Sequence, residues 1–226
     1  MKVFGILLAA GLSERFKSDK LFALYKDKEL IRYPLETFLN CDDIDSIVIV
    51  CNETNIEKTK EILNSYAIDK KFEFILGGKT RQESEIFALN TLKFMDVDNN
   101  DLVAIHDCAR SFLPEDLLKE LITEAKTHGS CSPYIETSLY SKTSQKLLKD
   151  NLVEIQTPQI FEYEILEKAY LINTEEEMIS HDTTQQVSKN LNIESKVILG
   201  SELNLKITYK EDLEAIKLKL EEYGNK

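Results

Sequence analysis

Two basic residues, Arg15 and Lys20, follow a short glycine turn and could neutralise the charge of a bound phosphate chain. The turn ends an apolar run, in the sequence LLAAGLSERF followed by KSDKLF. Its small residues Ala9, Ala10 and Gly11 would let a ligand approach the backbone closely. Ligands of open α/β sheets lie beyond the carboxyl ends of the strands, so the turn is a candidate phosphate site. An ordinary solvated loop is the alternative interpretation of these residues alone.

The best-known phosphate-binding and metal-binding patterns are missing from the sequence. G-x-G-x-x-G is absent, which counts against a dinucleotide oxidoreductase, and the absence of G-x-x-x-x-G-K-[ST] counts against a P-loop NTPase. The 4 cysteines and 3 histidines have no ligand-like spacing. They therefore predict neither a zinc site nor a disulfide framework.

The net charge makes the placement of individual basic residues informative. The 226 residues include 28 Lys and Arg against 40 Asp and Glu, for a net charge of −12. A field of this sign repels nucleic acids and anionic membranes, so neither is an expected partner. An anionic small molecule can still bind where a few basic residues converge. The first apolar run fits a buried strand better than a signal peptide, and no run is long enough to span a membrane, so we expect a cytoplasmic protein.

Apolar runs alternate with amphipathic stretches and predict the elements that position the turn. Four runs are typical of parallel strands covered on both faces: 3–9, 46–51, 72–76 and 101–106. Helical patterns occupy 30–40, 55–65 and 81–94. Thr54 and Thr80, each with a glutamate three residues later, predict capping boxes, and a further helix is expected to begin near Pro114.

The second half of the chain contains a break in this alternation. Residues 136–156 form short alternating pieces rich in Thr and Ser, which predict a hairpin arm. Further helices are expected at 162–173, 182–191 and 210–223, with a strand at 195–199. The whole pattern predicts one α/β domain over 1–226, with a Rossmann-like, doubly wound, mostly parallel sheet and a protruding β-arm.

Four later motifs add candidate residues to the site: GGKTRQES (77–84), HDCAR (106–110), TPQ-x-F (157–161) and NLKIT followed by EDL (204–213). Asp107 ends an apolar strand, where it fits a magnesium or ribose contact, with a strand-end cap as the alternative. Lys206 lies in an apolar segment, where a lysine costs free energy unless its charge is used, so we favour a phosphate contact. His106 is expected to be a packed, neutral side chain.

The turn resembles the signature loop of the sugar-nucleotide and molybdenum-cofactor nucleotidyltransferases, A-A-G-x-S-x-R-F followed by K-L. With the four later motifs in order, nearly the whole chain resembles the family of 2-C-methyl-D-erythritol 4-phosphate cytidylyltransferases. The resemblance implies transfer of CMP from CTP to that polyol phosphate, with release of pyrophosphate and with Mg²⁺ as cofactor. It also implies a homodimer in which the arm reaches the partner's site, whereas an exposed surface hairpin is the alternative.

The resemblance further implies roles for individual residues. The catalytic residues would be Arg15, Lys20 and Lys206. The nucleotide would be bound by Ala9, Ala10, Gly11, Gly78, Arg81, Ser84 and Asp107, with Asp107 also the candidate magnesium ligand beside the triphosphate. The acceptor would be bound by Arg110, Thr137, Lys149, Thr157 and His181.

Some positions depart from the pattern of this family. The loop before Lys20 is shorter than usual, Ser111 stands where proline is common, and Lys149 and His181 replace an arginine and a threonine. The last two lie where the acceptor would be recognised. Ribitol 5-phosphate, or another polyol phosphate, is therefore the alternative acceptor. A molybdenum-cofactor precursor fits only the first loop, and a catalytically silent nucleotide-binding regulator is the alternative from another class.

Overall fold

Eight strands form one mostly parallel sheet in the computed structural model, which describes residues 1–66, 69–143, 145–148, 152–172 and 182–224. The strands of the chain are β1 (Val3–Leu8), β2 (Leu24–Tyr25), β3 (Lys28–Glu29), β4 (Ser46–Cys51), β5 (Lys71–Leu76), β6 (Leu102–Asp107), β7 (Ser130–Glu136), β8 (Leu139–Ser141), β9 (Lys146–Leu148), β10 (Val153–Ile155), β11 (Gln159–Glu162) and β12 (Lys196–Leu199). The order in the sheet is β10-β7-β11-β6-β1-β4-β5, with β12 paired to β7. The predicted α/β class and mostly parallel sheet are confirmed.

Helices cover both faces of this sheet, as a doubly wound fold requires. They are α1 (Arg32–Asn40), α2 (Ile56–Asn64), α3 (Arg81–Leu92), α4 (Glu115–His128), α5 (Tyr163–Leu171), α6 (Thr183–Leu191) and α7 (Lys210–Gly224). Successive side chains of a strand point to opposite faces. Leu7 of β1 accordingly belongs to the core formed with α1, α2 and α4, whereas Ile6 belongs to the core formed with α3, α5 and α6. Helix α7 packs separately against the first loop, where Ile216 and Phe16 share a third cluster.

The threonine half of the capping box predicted at Thr80 is confirmed, while the Glu83 carboxylate accepts from the Lys79 amide, one residue before the position that the box requires. The box predicted at Thr54 is wrong. The backbone N–H of Glu83 donates to the Thr80 hydroxyl at 3.1 Å, so Thr80 caps α3 as expected. Helix α2 instead has Asn55 as its N-cap residue, and the Thr54 hydroxyl donates to the Asn52 side chain at 2.7 Å. The oxygen of the Asn52 side chain also accepts from the backbone amides of Thr54 and Asn55, so Asn52 binds the groups at the start of this helix.

The predicted hairpin arm is present but shorter than its expected range of 136–156. Strands β8 and β9 pair with each other in an antiparallel sheet of their own. Strand β10 returns to the main sheet, where Val153 pairs with Glu136 of β7. The arm therefore ends before Val153, because the chain there regains an open edge of β7 and pairs with it. In the described ranges, no helix is both long and apolar enough to cross a membrane.

Candidate active site

A crevice of about 1030 Å³ opens at the carboxyl ends of β1 and β6. Leu8 and Asp107, the last residues of these two strands, are directly paired in the sheet. From this pair the sheet continues in two directions, with β4 and β5 on the side of β1 and with β11, β7 and β10 on the side of β6. Such a reversal of strand order leaves the crossover loops on opposite faces and opens a ligand-binding crevice between them. Ten of the predicted residues line it: Ala9, Ala10, Gly11, Arg15, Lys20, Gly78, Arg81, Ser84, Asp107 and Lys206.

Two asparagines that the sequence interpretation missed hold the first turn in place. The Asn55 amide, which is fully buried, donates to the Ala9 carbonyl at 2.8 Å, and the Asn52 amide donates to the Ala10 carbonyl at 3.3 Å. The turn therefore rests on the loop after β4. The sequence showed that Asn52 and Asn55 follow a predicted strand, but only the sheet places the end of that strand beside the end of β1.

Asp107 holds two cations of the crevice in fixed positions. Its carboxylate accepts from Arg81 Nε at 3.1 Å through one oxygen and from Lys206 Nζ at 2.6 Å through the other. Burial alone would raise the pKa of Asp107, but the charges of Arg81 and Lys206 outweigh burial and hold this pKa well below its usual range. Asp107 is therefore an anion that organises the basic side chains around it.

Lys20 and Lys206 come together although 185 residues separate them in the sequence, from position 20 to position 206. Lys20 Nζ donates to the carbonyl of Ile207, the residue after Lys206, at 3.0 Å. The Ile207 amide in turn donates to the Ala109 carbonyl at 2.8 Å, which anchors this segment beside the end of β6. Burial lowers the pKa of Lys20, and the nearby charge of Lys206 lowers it further. The two ammonium groups thus repel each other, and an anion placed between them would relieve that repulsion.

His106 is fully buried beneath the crevice and is neutral, as the sequence predicts. Its Nε2 lies 3.0 Å from the Arg110 carbonyl, which can only accept, so Nε2 carries the proton. Its Nδ1 then accepts from the Thr157 hydroxyl at 3.0 Å, and the oxygen of that hydroxyl accepts from the Asp107 amide at 3.1 Å. This network leaves no site for a second proton on the ring, and burial lowers the pKa of His106 to about 4.

We expect His106 to make the protein less stable as the pH falls from about 6.5 to about 4. The pKa of the folded histidine is the lower one, so the unfolded chain takes up the proton first as the pH falls. One such group contributes a slope of at most about 1.4 kcal/mol per pH unit. Urea unfolding between about pH 5 and pH 7 measures this slope, and it should be shallower in His106→Gln. An unchanged slope in that variant would contradict the neutral, buried state of His106.

The glycines at the start of α3 bring the loop after β5 against that helix. A side chain at Gly78 would place its Cβ 2.2 Å from Glu83 Cβ, so only glycine fits there without movement. The Gly78 amide donates to Ser84 Oγ at 3.1 Å, and that hydroxyl donates to the Thr80 carbonyl at 3.0 Å. At Gly11, by contrast, an added Cβ would meet only open space, because this residue faces the crevice.

None of the predicted acceptor residues that the structure describes lies in the crevice lining. Arg110 is buried and donates to the Asn204 carbonyl at 3.0 Å, and Thr157 is buried within the His106 network. Thr137 is half-buried at the base of the arm, where its amide donates to the Leu152 carbonyl at 3.2 Å. Lys149 and His181 lie outside the described residues.

Two further residues missed by the sequence interpretation join the last two motifs beneath the site. The Asn204 amide donates to the Thr157 carbonyl at 2.7 Å, and the Gln156 amide donates to the Ser201 carbonyl at 2.9 Å. Asn204 and Gln156 stand within or directly beside NLKIT and TPQ-x-F. These two side chains hold the two motifs together, because each one bonds buried backbone groups of the other segment.

A doubly wound sheet with a basic crevice at the point where its strand order reverses defines an α/β protein built to bind an anionic nucleotide or sugar phosphate. A sequence model of 2-C-methyl-D-erythritol 4-phosphate cytidylyltransferase matches residues 3–222. The chain belongs to this family, as its motifs indicate.

Individual relatives agree with this assignment. Proteins named 2-C-methyl-D-erythritol 4-phosphate cytidylyltransferase are 34% identical in Clostridium tetani (92% of this chain and 86% of the relative) and 33% identical in Dictyoglomus thermophilum (94% of each). The crystal structure of 4-diphosphocytidyl-2C-methyl-D-erythritol synthase from Anaerococcus prevotii has the same fold. Its TM-score is 0.79 at 22% identity, over 97% of this chain and 98% of that one.

Proposed function

We propose that this chain transfers CMP from CTP to 2-C-methyl-D-erythritol 4-phosphate and releases pyrophosphate, a step of isoprenoid precursor biosynthesis. The observation that carries the proposal is the convergence of Lys20 and Lys206 beside Asp107 in the crevice of a chain of this family. Joining two anions requires positive charge and positioning more than it requires a general base. The crevice supplies both, in a protein whose net charge is −12.

The reaction is an in-line displacement at the α-phosphorus of CTP. A phosphate oxygen of the acceptor forms the new bond to this phosphorus, and the bond to the bridging oxygen breaks, so that its electron pair leaves with pyrophosphate. A phosphate nucleophile is already ionised near neutral pH. Arg15, Lys20 and Lys206 then act by opposing the repulsion between the two substrates and by stabilising charge on the phosphoryl oxygens.

The nucleotide is expected to bind along the first turn and the start of α3. The backbone at Ala9, Ala10 and Gly11 faces the crevice and has space for a close phosphate approach. Gly78 and Ser84 bracket the cytosine, Arg81 contacts the nucleotide, and Asp107 contacts the ribose or the magnesium ion. Arg81 Nη2 is a buried donor without a hydrogen-bond partner in the described part of the chain, which supports a ligand contact near this side chain.

The acceptor is expected to bind between Lys206 and the arm. Arg110 and Thr157, which are buried and outside the crevice lining, would support one side of this subsite from within the fold, and Thr137 lies at the base of the arm. Lys149 and His181 would complete it, with Lys149 contributed across a homodimer.

Mg²⁺ is expected to bind mainly through the triphosphate. No group of three acidic, histidine or cysteine ligands occurs in the ranges that the structure describes. Magnesium commonly takes only one or two protein carboxylates in addition to substrate phosphates, and Asp107 provides one carboxylate in the crevice lining. Both oxygens of this carboxylate also accept from Arg81 and Lys206, so the residues fit an ion whose ligands come mainly from the phosphates. Bound there, it would offset negative charge on the phosphates.

Pyrophosphate release with defined substrates tests the proposal. We expect turnover with CTP, Mg²⁺ and 2-C-methyl-D-erythritol 4-phosphate, and at least about 100-fold lower kcat/KM with ribitol 5-phosphate. Faster turnover with ribitol 5-phosphate would mean that the proposed acceptor is wrong and that the proposed transfer of CMP is right. Absence of release with either acceptor would contradict the enzymatic function and favour a nucleotide-binding regulator.

A further inference from the structure

Glu85, on α3, is a buried carboxylate one turn behind the crevice. Its side chain is 0% exposed, and it is the one glutamate within the described ranges that is buried in the core. Three donors converge on it: Arg81 Nη1 at 2.7 Å, Thr183 Oγ1 at 2.6 Å and the hydroxyl of Tyr170. Of these partners only the Arg81 guanidinium carries a charge, and its contact with Glu85 favours the ionised form of this carboxylate.

Burying the carboxylate of Glu85 in these surroundings costs folding free energy. The core on this face is apolar, with Ala88, Leu166 and Val187 from α3, α5 and α6. Burial raises the pKa of Glu85, while the charge of Arg81 opposes that rise. An ionised carboxylate in such a layer needs its partners, and an apolar residue of similar volume would fill the same space without them.

Arg81 connects this carboxylate to the crevice. Its Nη1 pairs with Glu85, and its Nε pairs with Asp107 at 3.1 Å, so the guanidinium is held between two carboxylates. Asp107 uses its other oxygen for Lys206 Nζ at 2.6 Å. A planar guanidinium fixed at two points cannot rotate freely, and its orientation sets where the Asp107 carboxylate accepts.

We infer that Glu85 is a positioning residue, which fixes Arg81 so that Asp107 holds Lys206 in place for the reaction. This inference rests on the proposed function, because it assigns Lys206 a contact with the reacting phosphates. Glu85 does not itself line the crevice and makes no hydrogen bond to Asp107, so it acts on the site through the crevice-lining side chain of Arg81. The alternative is that Glu85 merely joins α3 to α5 and α6 and stabilises the fold.

A double-mutant cycle on kcat/KM for the acceptor separates these two roles. Glu85→Gln preserves the volume and removes the charge, and we expect it to lower kcat/KM about tenfold. In an Asp107→Asn background the same change should have almost no further effect, because the interaction it supports is already lost. Equal losses in both backgrounds, or wild-type activity in Glu85→Gln, would overturn the inference.

Val187→Ala is the matched control for damage to the same layer. Val187 is fully buried on α6 but has no part in the polar chain. It should lower the melting temperature and cause the same small loss of kcat/KM with and without Asp107→Asn. Coupling of Val187→Ala to Asp107→Asn would mean that any loosening of this layer reaches the crevice, and it would also overturn the inference.

Thr183→Val provides a second route if Glu85→Gln fails to fold. It removes the hydroxyl that bonds Glu85 at 2.6 Å and Arg81 at 3.2 Å, while the shape of the side chain is kept. Thr183→Val is combined with Asp107→Asn in the same double-mutant cycle, and equal losses of kcat/KM in both backgrounds would again overturn the inference. Failure of the wild type to turn over any acceptor would count against the proposed function, whereas additive losses on an active wild type would count only against the role of Glu85.

Discussion

Replacing Lys20 by alanine is expected to lower kcat about 10³-fold while the Kd for CTP changes by no more than about threefold. Lys20 Nζ is held at the crevice by the Ile207 carbonyl, so its charge is placed before the substrate arrives. Negative charge moves onto the phosphoryl oxygens during the displacement, and a fixed cation stabilises that state more than the bound substrate. Under the proposed function, Arg15 and the backbone of the first turn would also contact the triphosphate, so affinity should largely persist.

Pyrophosphate release at saturating CTP and calorimetric titration with CTP measure the two quantities separately. Lys17→Asn is the matched control, because Lys17 lies in the same loop but is exposed and absent from the crevice lining. Lys17 has φ of 62°, a left-handed conformation that asparagine tolerates, so the substitution removes the charge without new strain. Equal losses of kcat and affinity in Lys20→Ala would remove Lys20 from the catalytic residues.

Replacing Lys206 by alanine is the second large expected effect, a fall of about 10³-fold in kcat/KM for the acceptor. The fold should survive, because the Lys206 side chain is 41% exposed and Asp107 retains its contact with Arg81. Lys206→Arg should recover only part of the loss. Its planar fork would pair with Asp107 in a geometry different from that of a single ammonium.

Titration with the acceptor at saturating CTP measures the effect of Lys206. Lys210→Ala is the matched control, because Lys210 is an exposed lysine at the start of α7, only four positions further along the chain. It should retain wild-type kinetics. Activity of Lys206→Ala within about threefold of the wild type would show that the charge at this position takes no part in the reaction.

Elements with a strong local pattern were predictable from the sequence. The apolar runs that became β1, β4 and β6 are buried on both faces, and the helical patterns match α1, α2 and α3 closely. The expectation of burial on both faces was wrong for β5, because this strand lies at the edge of the sheet and its side chains are half-buried or exposed. Capping at Thr80 was predicted from a four-residue pattern, whereas at Thr54 the same pattern failed because the Asn52 side chain accepts from both the hydroxyl and the backbone amide of Thr54. Local sequence patterns therefore predicted the structure correctly where no other side chain bonded the same groups.

The sequence by itself determined the doubly wound fold class, the first turn with Arg15 and Lys20, and the presence of basic residues at later motifs, because each of these depends on neighbouring residues. Only the tertiary structure decided which charges meet. Asp107 pairs with Arg81 across 26 positions and with Lys206 across 99, and Glu85 meets Thr183 across 98. The order of strands in the sheet brings these side chains together. A buried charge needs a partner, and that partner is a residue that the packing places beside it. No local pattern along the chain specifies which residue this is.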